Sequence, residues 1–179
     1  MISIEEIKAG LGEFWIPDIY AGRVRPLRTR AFSMDIPERA NQPEILHTLL
    51  GVELKIGKVR IACPDLATAR YLQVFSRLGV REVAVPYDIS KISFLADDLE
   101  TGWQRMNLLL ADVTSRERNA AIKAIREAIK GTGPGDLMPA FGYMESSQRF
   151  ADVRFARYCH ENGIGMLCVA RPDAWVHEP

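Results

Sequence analysis

The stretch GVELKIGKVRIACPDLATARYLQVFSRLGVREVAVPYD, residues 51–88, changes its hydrophobic period twice and so constrains the fold more than any other part of the chain. Residues 52–56 and 59–63 alternate apolar and polar side chains, which is typical of strands. From Asp65 the apolar positions recur at helical spacing until Gly79, and REVAVP is a compact strand rich in β-branched residues. The order strand, strand, helix, strand predicts an α/β protein.

Helical patterns flank this stretch on both sides. Residues 4–14, Asp88 to Leu110, and Thr114 to Gly131 predict helices, because apolar residues recur there at steps of three and four behind capping residues. Residues 41–50 also resemble a helix, with Asn41 as its N-cap and a proline in its first turn.

Two similar modules determine the predicted fold class. Residues 58–86 and 137–170 both run strand, helix, glycine with a β-branched residue, strand. Strand–helix–strand units with short loops give parallel strands with helices on the faces. The sequence therefore predicts a three-layer sandwich, with a mixed, largely parallel central sheet flanked by helices. No linker interrupts it, so residues 1–179 are predicted to form one α/β domain, with a first core over 1–88 and a second half over 89–179.

Composition restricts the functional classes. A chain of 179 residues can bury a core without disulfides or metals. Lys plus Arg equals Asp plus Glu at 23 each, and this zero net charge removes the overall signature of a constitutive nucleic-acid binder but leaves room for a local basic patch. Three cysteines without CxxC spacing predict reduced thiols in a cytoplasmic protein. The chain shows neither a signal-peptide pattern nor a run long enough to span a membrane.

The sequence Glu53-Leu54-Lys55 is the sharpest chemical signal. Because side chains alternate along a strand, Glu53 and Lys55 share one face. Two carboxylates on adjacent strands can hold Mg²⁺ against a phosphate, and an ammonium one pleat further along can orient the attacking water and neutralise developing charge. Alternating charges on a solvated sheet face give the same pattern without any chemistry.

Residues 53–86 resemble the PD-(D/E)XK nuclease superfamily, particularly the archaeal Holliday-junction resolvases. In that family a Glu-x-Lys strand leads through a short β segment and a glycine-terminated helix to another strand. The resemblance implies that Glu53 and Asp35 are metal ligands, that Lys55 is the catalytic ammonium, that Mg²⁺ is the cofactor and that DNA is the substrate. The helix expected over residues 41–50 departs from the family, which joins the Asp strand to the Glu-x-Lys strand by a direct hairpin.

A run of arginines precedes this motif. The segment GRVRPLRTRAFSMDI alternates in a manner that suits one or two short strands. Its basic side chains would contact DNA phosphates, or would protect a solvated edge strand by charge. The residues concerned are Arg23, Arg25, Arg28 and Arg30.

A second hypothesis concerns the predicted strand ends CPD, PYD and RPD. In an open parallel sheet, ligands bind at the carboxyl ends of strands, where helix N-termini favour anions. The alternative to a nuclease is therefore a non-catalytic protein that binds a small anionic ligand or a protein partner in this crevice, which Asp65, Asp88, Asp173 and Arg171 would line. Aspartate and proline also start helices, so each triplet can be local structure alone, and for Asp65 and Asp88 the cap is the favoured interpretation.

Two further expectations concern catalysis and assembly. A PD-(D/E)XK-like scaffold without catalysis is a third hypothesis, because the set of acids is incomplete. The apolar stripe MNLLLADV, close to Trp103, could dock a second copy of the chain in a homodimer, but such a stripe more often belongs to the core.

Overall fold

The structure is a computed structural model that describes residues 3–37 and 42–135. All of them belong to the first of two units into which the chain divides between residues 137 and 138. The predicted module at 137–170 lies outside the described residues, as do Asn41, Arg171 and Asp173. None of the described helices is long and apolar enough to cross a bilayer.

The described chain contains both helices and strands, so the predicted α/β class is confirmed. The helices are α1 (Ile4–Leu11), α2 (Ile16–Ile19), α3 (Leu66–Leu78), α4 (Ile89–Leu109) and α5 (Ser115–Thr132). A 3-10 turn (Gly12–Phe14) and a π-helical turn (Tyr20–Val24) flank α2. The strands are β1 (Thr29–Ser33), β2 (Glu44–Thr48), β3 (Gly51–Ile56), β4 (Val59–Cys63) and β5 (Glu82–Pro86).

The strands form two antiparallel sheets, so the predicted largely parallel central sheet of a three-layer sandwich is wrong. Within the described residues, β2, β3 and β4 make a three-stranded meander, and β1 pairs with β5 from Thr29 opposite Pro86 to Ser33 opposite Glu82. The prediction assumed that β4 and β5, which α3 connects, lie in one sheet. The residue pattern predicts that a strand, a helix and a strand follow one another. The strand with which β5 pairs, however, depends on residues that are distant in the sequence.

Residues 44–48 form β2, so the helix predicted over residues 41–50 is wrong for this part. Ile45 lies opposite Leu54 in the β2–β3 hairpin, and the hydroxyl of Thr48 donates to the carbonyl of Gly51 at 3.1 Å beside the turn. Pairing with β3 covers apolar surface that an isolated helix would leave in water, and this tertiary gain outweighs the local helix-start signal.

Helix α3 lies at the centre of the core. It contacts the meander, α4 and α5, and its side chains Leu72 and Phe75 are buried. The meander contributes Leu54 and Ile56 from one face, and both are fully buried. Because strand side chains alternate, the opposite face of β3 carries Glu53 and Lys55.

Two tyrosine hydroxyls complete the hydrogen bonding of β5. Ala84 and Ala31 are a non-hydrogen-bonded pair of the antiparallel β1–β5 ladder. The N–H and C=O groups of Ala84 therefore point away from β1. The hydroxyl of Tyr71 donates to the Ala84 carbonyl at 2.6 Å, and the Ala84 N–H donates to the hydroxyl of Tyr20 at 2.9 Å. Tyr20 in turn donates to the carbonyl of Gly133 at 3.0 Å, which ties the end of α5 to the sheet.

Candidate functional site

The Glu-Leu-Lys motif lies on the charged face of the meander. Lys55 is opposite Glu44 on β2, and its Nζ lies 3.3 Å from a Glu44 carboxylate oxygen. Glu53 accepts from Arg60 on β4 at 3.4 Å. Pairs of this kind on an exposed sheet face contribute about 0–1 kcal/mol each, as solvated charges do.

Asp35, the acid that the nuclease resemblance places beside Glu53 at a metal ion, follows β1, which pairs with β5, whereas Glu53 lies on β3 of the meander. The Asp35 side chain is exposed between the buried residues Met34 and Ile36. Arg81 holds this segment, because its carbonyl accepts from the N–H of Met34 at 2.7 Å and its guanidinium donates to the carbonyl of Ile36 at 3.3 Å.

Across residues 3–37 and 42–135, no group of three or more His, Cys, Asp or Glu side chains could hold a metal ion. Mg²⁺ can be held by one or two carboxylates when water and phosphate supply its remaining oxygen ligands. The β2–β3 hairpin places Glu44 on the same face as Glu53, a donor type that suits Mg²⁺. Each of these carboxylates is engaged by a cation, so a metal ion would have to displace Lys55 and Arg60.

The two described strand-end aspartates cap helices. Asp65 accepts from the N–H and the hydroxyl of Thr68 at 2.8 and 3.0 Å. Asp88 accepts from the N–H and the hydroxyl of Ser90 at 3.0 and 2.6 Å, and the hydroxyl bond is the main reason why the pKa of Asp88 is lowered. The N-cap alternative therefore describes both residues, whose carboxylates are already occupied by helix donors.

The four arginines of the predicted DNA-binding run have separate environments. Arg23 pairs with Asp98 at 2.7 Å, and the guanidinium of Arg25 lies against Gly135. The guanidinium carbons of Arg28 and Arg30 lie 5.3 and 5.9 Å from the ring centroid of Tyr87. Arg28 directly precedes β1 and Arg30 lies on it, so the run spans a helical turn, a loop and a strand.

Cys63 is the described thiol that ends β4 before α3. It is buried, and desolvation is the main reason why its pKa is raised. A raised pKa reduces the thiolate fraction, and the environment is that of a structural cysteine.

A cationic surface groove is present elsewhere on the molecule. It has a volume of about 740 Å³ and is formed where the end of α3, the start of β5 and the end of α5 come together. We call it the basic groove, and its described lining consists of Ile36, Pro37, Ser76, Arg77, Gly79, Arg81, Glu82, Arg126, Lys130 and Pro134.

Three elements bring the cations of the basic groove together. Arg77 lies in the last turn of α3, and Arg81 lies just before β5. Arg126 and Lys130 lie one turn apart on α5, so they share a face of that helix. Glu82 supplies the one carboxylate among the described lining residues.

Arg126 is fixed by the end of α3. Its Nε donates to the carbonyl of Leu78 at 2.6 Å, and a Cβ built on Gly79 would lie 2.7–2.9 Å from the guanidinium. A cation at this position also complements the negative end of the helix dipole. The contact has a structural purpose, and it holds the guanidinium in place at the groove.

Arg77 is a half-buried cation of the groove. Burial is the main reason why its pKa is lowered, although the nearby carboxylate of Glu100 raises it. The guanidinium carbon lies 5.9 Å from the ring centroid of Trp103, within the range of a cation–π contact. A guanidinium that has already lost water forms strong charge-assisted hydrogen bonds with an anion.

These four cations are not among the site residues predicted from the sequence. Arg126 and Lys130 are four residues apart on the polar side of α5, which is a visible local signal. Their position beside Arg77 and Arg81 depends on the packing of α5 against α3, which no local pattern reveals.

Comparison of the chain with protein-family models, curated proteins and solved structures finds no match.

Proposed function

We propose that this protein binds a small anionic ligand in the basic groove. The observation that carries the proposal is the imbalance of charge there: Arg77, Arg81, Arg126 and Lys130 line the groove with one carboxylate, that of Glu82. A neutral chain that gathers four cations in one concave place has a local positive potential that attracts anions.

The partners of these cations support the proposal. The described hydrogen bonds of Arg81 and Arg126 go to the backbone carbonyls of Ile36 and Leu78, which leave their positive charges uncompensated. Lys130 is paired with Glu127 at 3.0 Å, and both side chains are about half exposed, so solvent weakens this pair. The groove therefore keeps a net positive charge toward a ligand.

The experiment is a titration of inorganic pyrophosphate by isothermal calorimetry, with the full chain and a double variant, Arg81→Ala with Lys130→Ala. We expect the double variant to bind at least about tenfold more weakly, because each lost charge-assisted contact costs about 1.5–3 kcal/mol. Added salt should also weaken wild-type binding, because it screens the attraction between the cations of the groove and the anion.

A matched control is Arg116→Ala with Lys123→Ala, which removes two exposed cations from α5 outside the described lining. This control should bind pyrophosphate as the wild type does. If both double variants weaken binding equally, overall charge explains the effect and the basic groove is not the site. Absence of pyrophosphate binding to the wild type would contradict the proposal directly.

A second candidate is metal-dependent cleavage of DNA, and one observation favours it. The β2–β3 hairpin is direct, as in the PD-(D/E)XK nucleases that residues 53–86 resemble, and it puts Glu44 and Glu53 on one face with Lys55. Glu44 and Glu53 would hold Mg²⁺, which would supply Lewis-acid polarisation of the phosphate, and Lys55 would neutralise developing charge.

This candidate is tested by incubating flap, junction and single-stranded DNA with the protein and Mg²⁺ or Mn²⁺. We expect Lys55→Ala and Glu53→Gln each to reduce cleavage at least about a hundredfold, since electrostatic groups at a reacting phosphate contribute on that order. The control is Lys58→Ala, an exposed lysine at the next turn. Cleavage that persists unchanged in Lys55→Ala would assign the activity to another site or to a contaminant.

A further inference from the structure

A second surface groove continues from the basic groove. It has a volume of about 640 Å³, and Ser76 and Arg77 line both grooves, so the two meet at the end of α3. We call it the amide groove, and its described lining consists of Gln42, Pro43, Ser76, Arg77, Glu100, Trp103, Gln104, Asn107, Leu108 and Arg118.

The chemistry of the amide groove differs from that of the basic groove. Glu100 pairs with Arg70, whose Nη2 lies 2.6 Å from the Glu100 carboxylate and 2.8 Å from that of Asp97. The lining also combines one aromatic ring, that of the half-buried Trp103, and the side-chain amides of Gln42, Gln104 and Asn107 with the cations Arg77 and Arg118. Amides donate and accept hydrogen bonds together, as the edges of nucleobases do.

The amide of Asn107 is oriented by a neighbour. Its Oδ1 accepts from Nη2 of Arg118 at 2.6 Å, so its NH₂ group is the part that remains to donate. Trp103 presents an aromatic surface on which a planar heterocycle can stack, with the guanidinium of Arg77 close to the same ring.

We propose that the anionic ligand is a nucleotide, with its phosphate in the basic groove beside Arg77 and its base in the amide groove against Trp103. The inference rests on the proposed anion binding and specifies its ligand class. Because the grooves share Arg77, a ligand as short as one nucleotide reaches both.

The test compares ligands that differ by the base. Ribose 5-phosphate, AMP, GMP, CMP and UMP are titrated into the full chain by calorimetry. Stacking of a base on an aromatic side chain strengthens binding by about tenfold or more. We therefore expect at least one of the four nucleotides to bind about tenfold more tightly than ribose 5-phosphate.

Three variants locate the base. Trp103→Leu should bring the nucleotide affinity close to the affinity of the same variant for ribose 5-phosphate. Gln104→Ala, an exposed position, should reduce the same ratio, and it keeps the test decisive if Trp103→Leu fails to fold. Phe94→Leu is the control, because Phe94 is an exposed aromatic residue of α4 that is absent from the described lining of both grooves.

The outcomes separate the two proposals. If ribose 5-phosphate binds in a manner that depends on Lys130 but no nucleotide binds more tightly, the basic groove stands and the nucleotide inference is wrong. If nucleotides bind more tightly and neither Trp103→Leu nor Gln104→Ala alters the ratio, the base lies elsewhere and the inference is also wrong. If neither pyrophosphate nor any sugar phosphate binds, the proposed function fails first.

Discussion

At the scale of single residues, the helix caps depend on neighbours in the sequence, whereas the ion pairs of the meander depend on strand pairing. Asp65 and Thr114 cap helices, as predicted, because the backbone N–H groups from which their side chains accept lie only three residues away. The partners of Lys55 and Glu53 lie on the neighbouring strands β2 and β4, and the local pattern predicts a helix where β2 lies. No pattern within the local sequence could therefore test whether Asp35 lies beside Glu53.

The buried tyrosines give a prediction at this scale. Tyr71→Phe should lower the free energy of unfolding by about 1–3 kcal/mol, because it leaves the buried carbonyl of Ala84 without its donor. Urea denaturation at pH 7 measures the loss. Tyr87→Phe is the control, since Tyr87 is only half-buried and no described hydrogen bond uses its hydroxyl. Equal losses in the two variants would contradict the assigned role of the Tyr71 hydroxyl.

The same residue predicts how stability depends on pH. Burial holds the pKa of Tyr71 well above its ordinary value of 10.0. A raised pKa means that the unfolded chain loses this proton first, so the stabilisation is complete below about pH 10 and is lost as pH rises above it. The stability of Tyr71→Phe should therefore fall less steeply than that of the wild type at alkaline pH. Identical slopes would place the Tyr71 hydroxyl in solvent.

At the scale of elements, periodic signals predicted the helices well and β2 badly. The stripes of α3, α4 and α5 are long enough that their period is unmistakable, and these helices occur where the pattern placed them. The five residues of β2 are too few for a period to show, and the neighbouring proline and acid suggested a helix start. Hairpin pairing with β3 decided the outcome.

The ends of α3 and α5 give a paired prediction. Gly79 ends α3 at φ +73°, and an added methyl group there would collide with the guanidinium of Arg126. We expect Gly79→Ala to destabilise the protein by about 1–3 kcal/mol. Gly131 lies within α5 with nothing within 4 Å of an added Cβ, so Gly131→Ala should stabilise by about 0.5–1 kcal/mol. Thermal unfolding measures both, and a shift of the same sign in both variants would contradict this description.

At the scale of the whole molecule, the sequence predicted an α/β class and missed the way in which the strands assemble. A helix that connects two strands usually returns the chain to the same sheet, and this expectation failed because β1 offered β5 an antiparallel partner. The basic groove was missed for a related reason. Arg77, Arg81 and Arg126 come from three elements, and their proximity exists only after α3 and α5 have packed.

The tyrosine hydroxyls at Ala84 also affect how the folded chain meets other chains. A strand at the border of a sheet exposes unused N–H and C=O groups, and these can recruit a strand from another molecule and begin aggregation. The backbone of Ala84 is already bonded to Tyr20 and Tyr71, so the middle of β5 has no free donor or acceptor to offer an incoming strand. Tyr20 and Tyr71 thus oppose the addition of a strand from another molecule at this edge of the sheet.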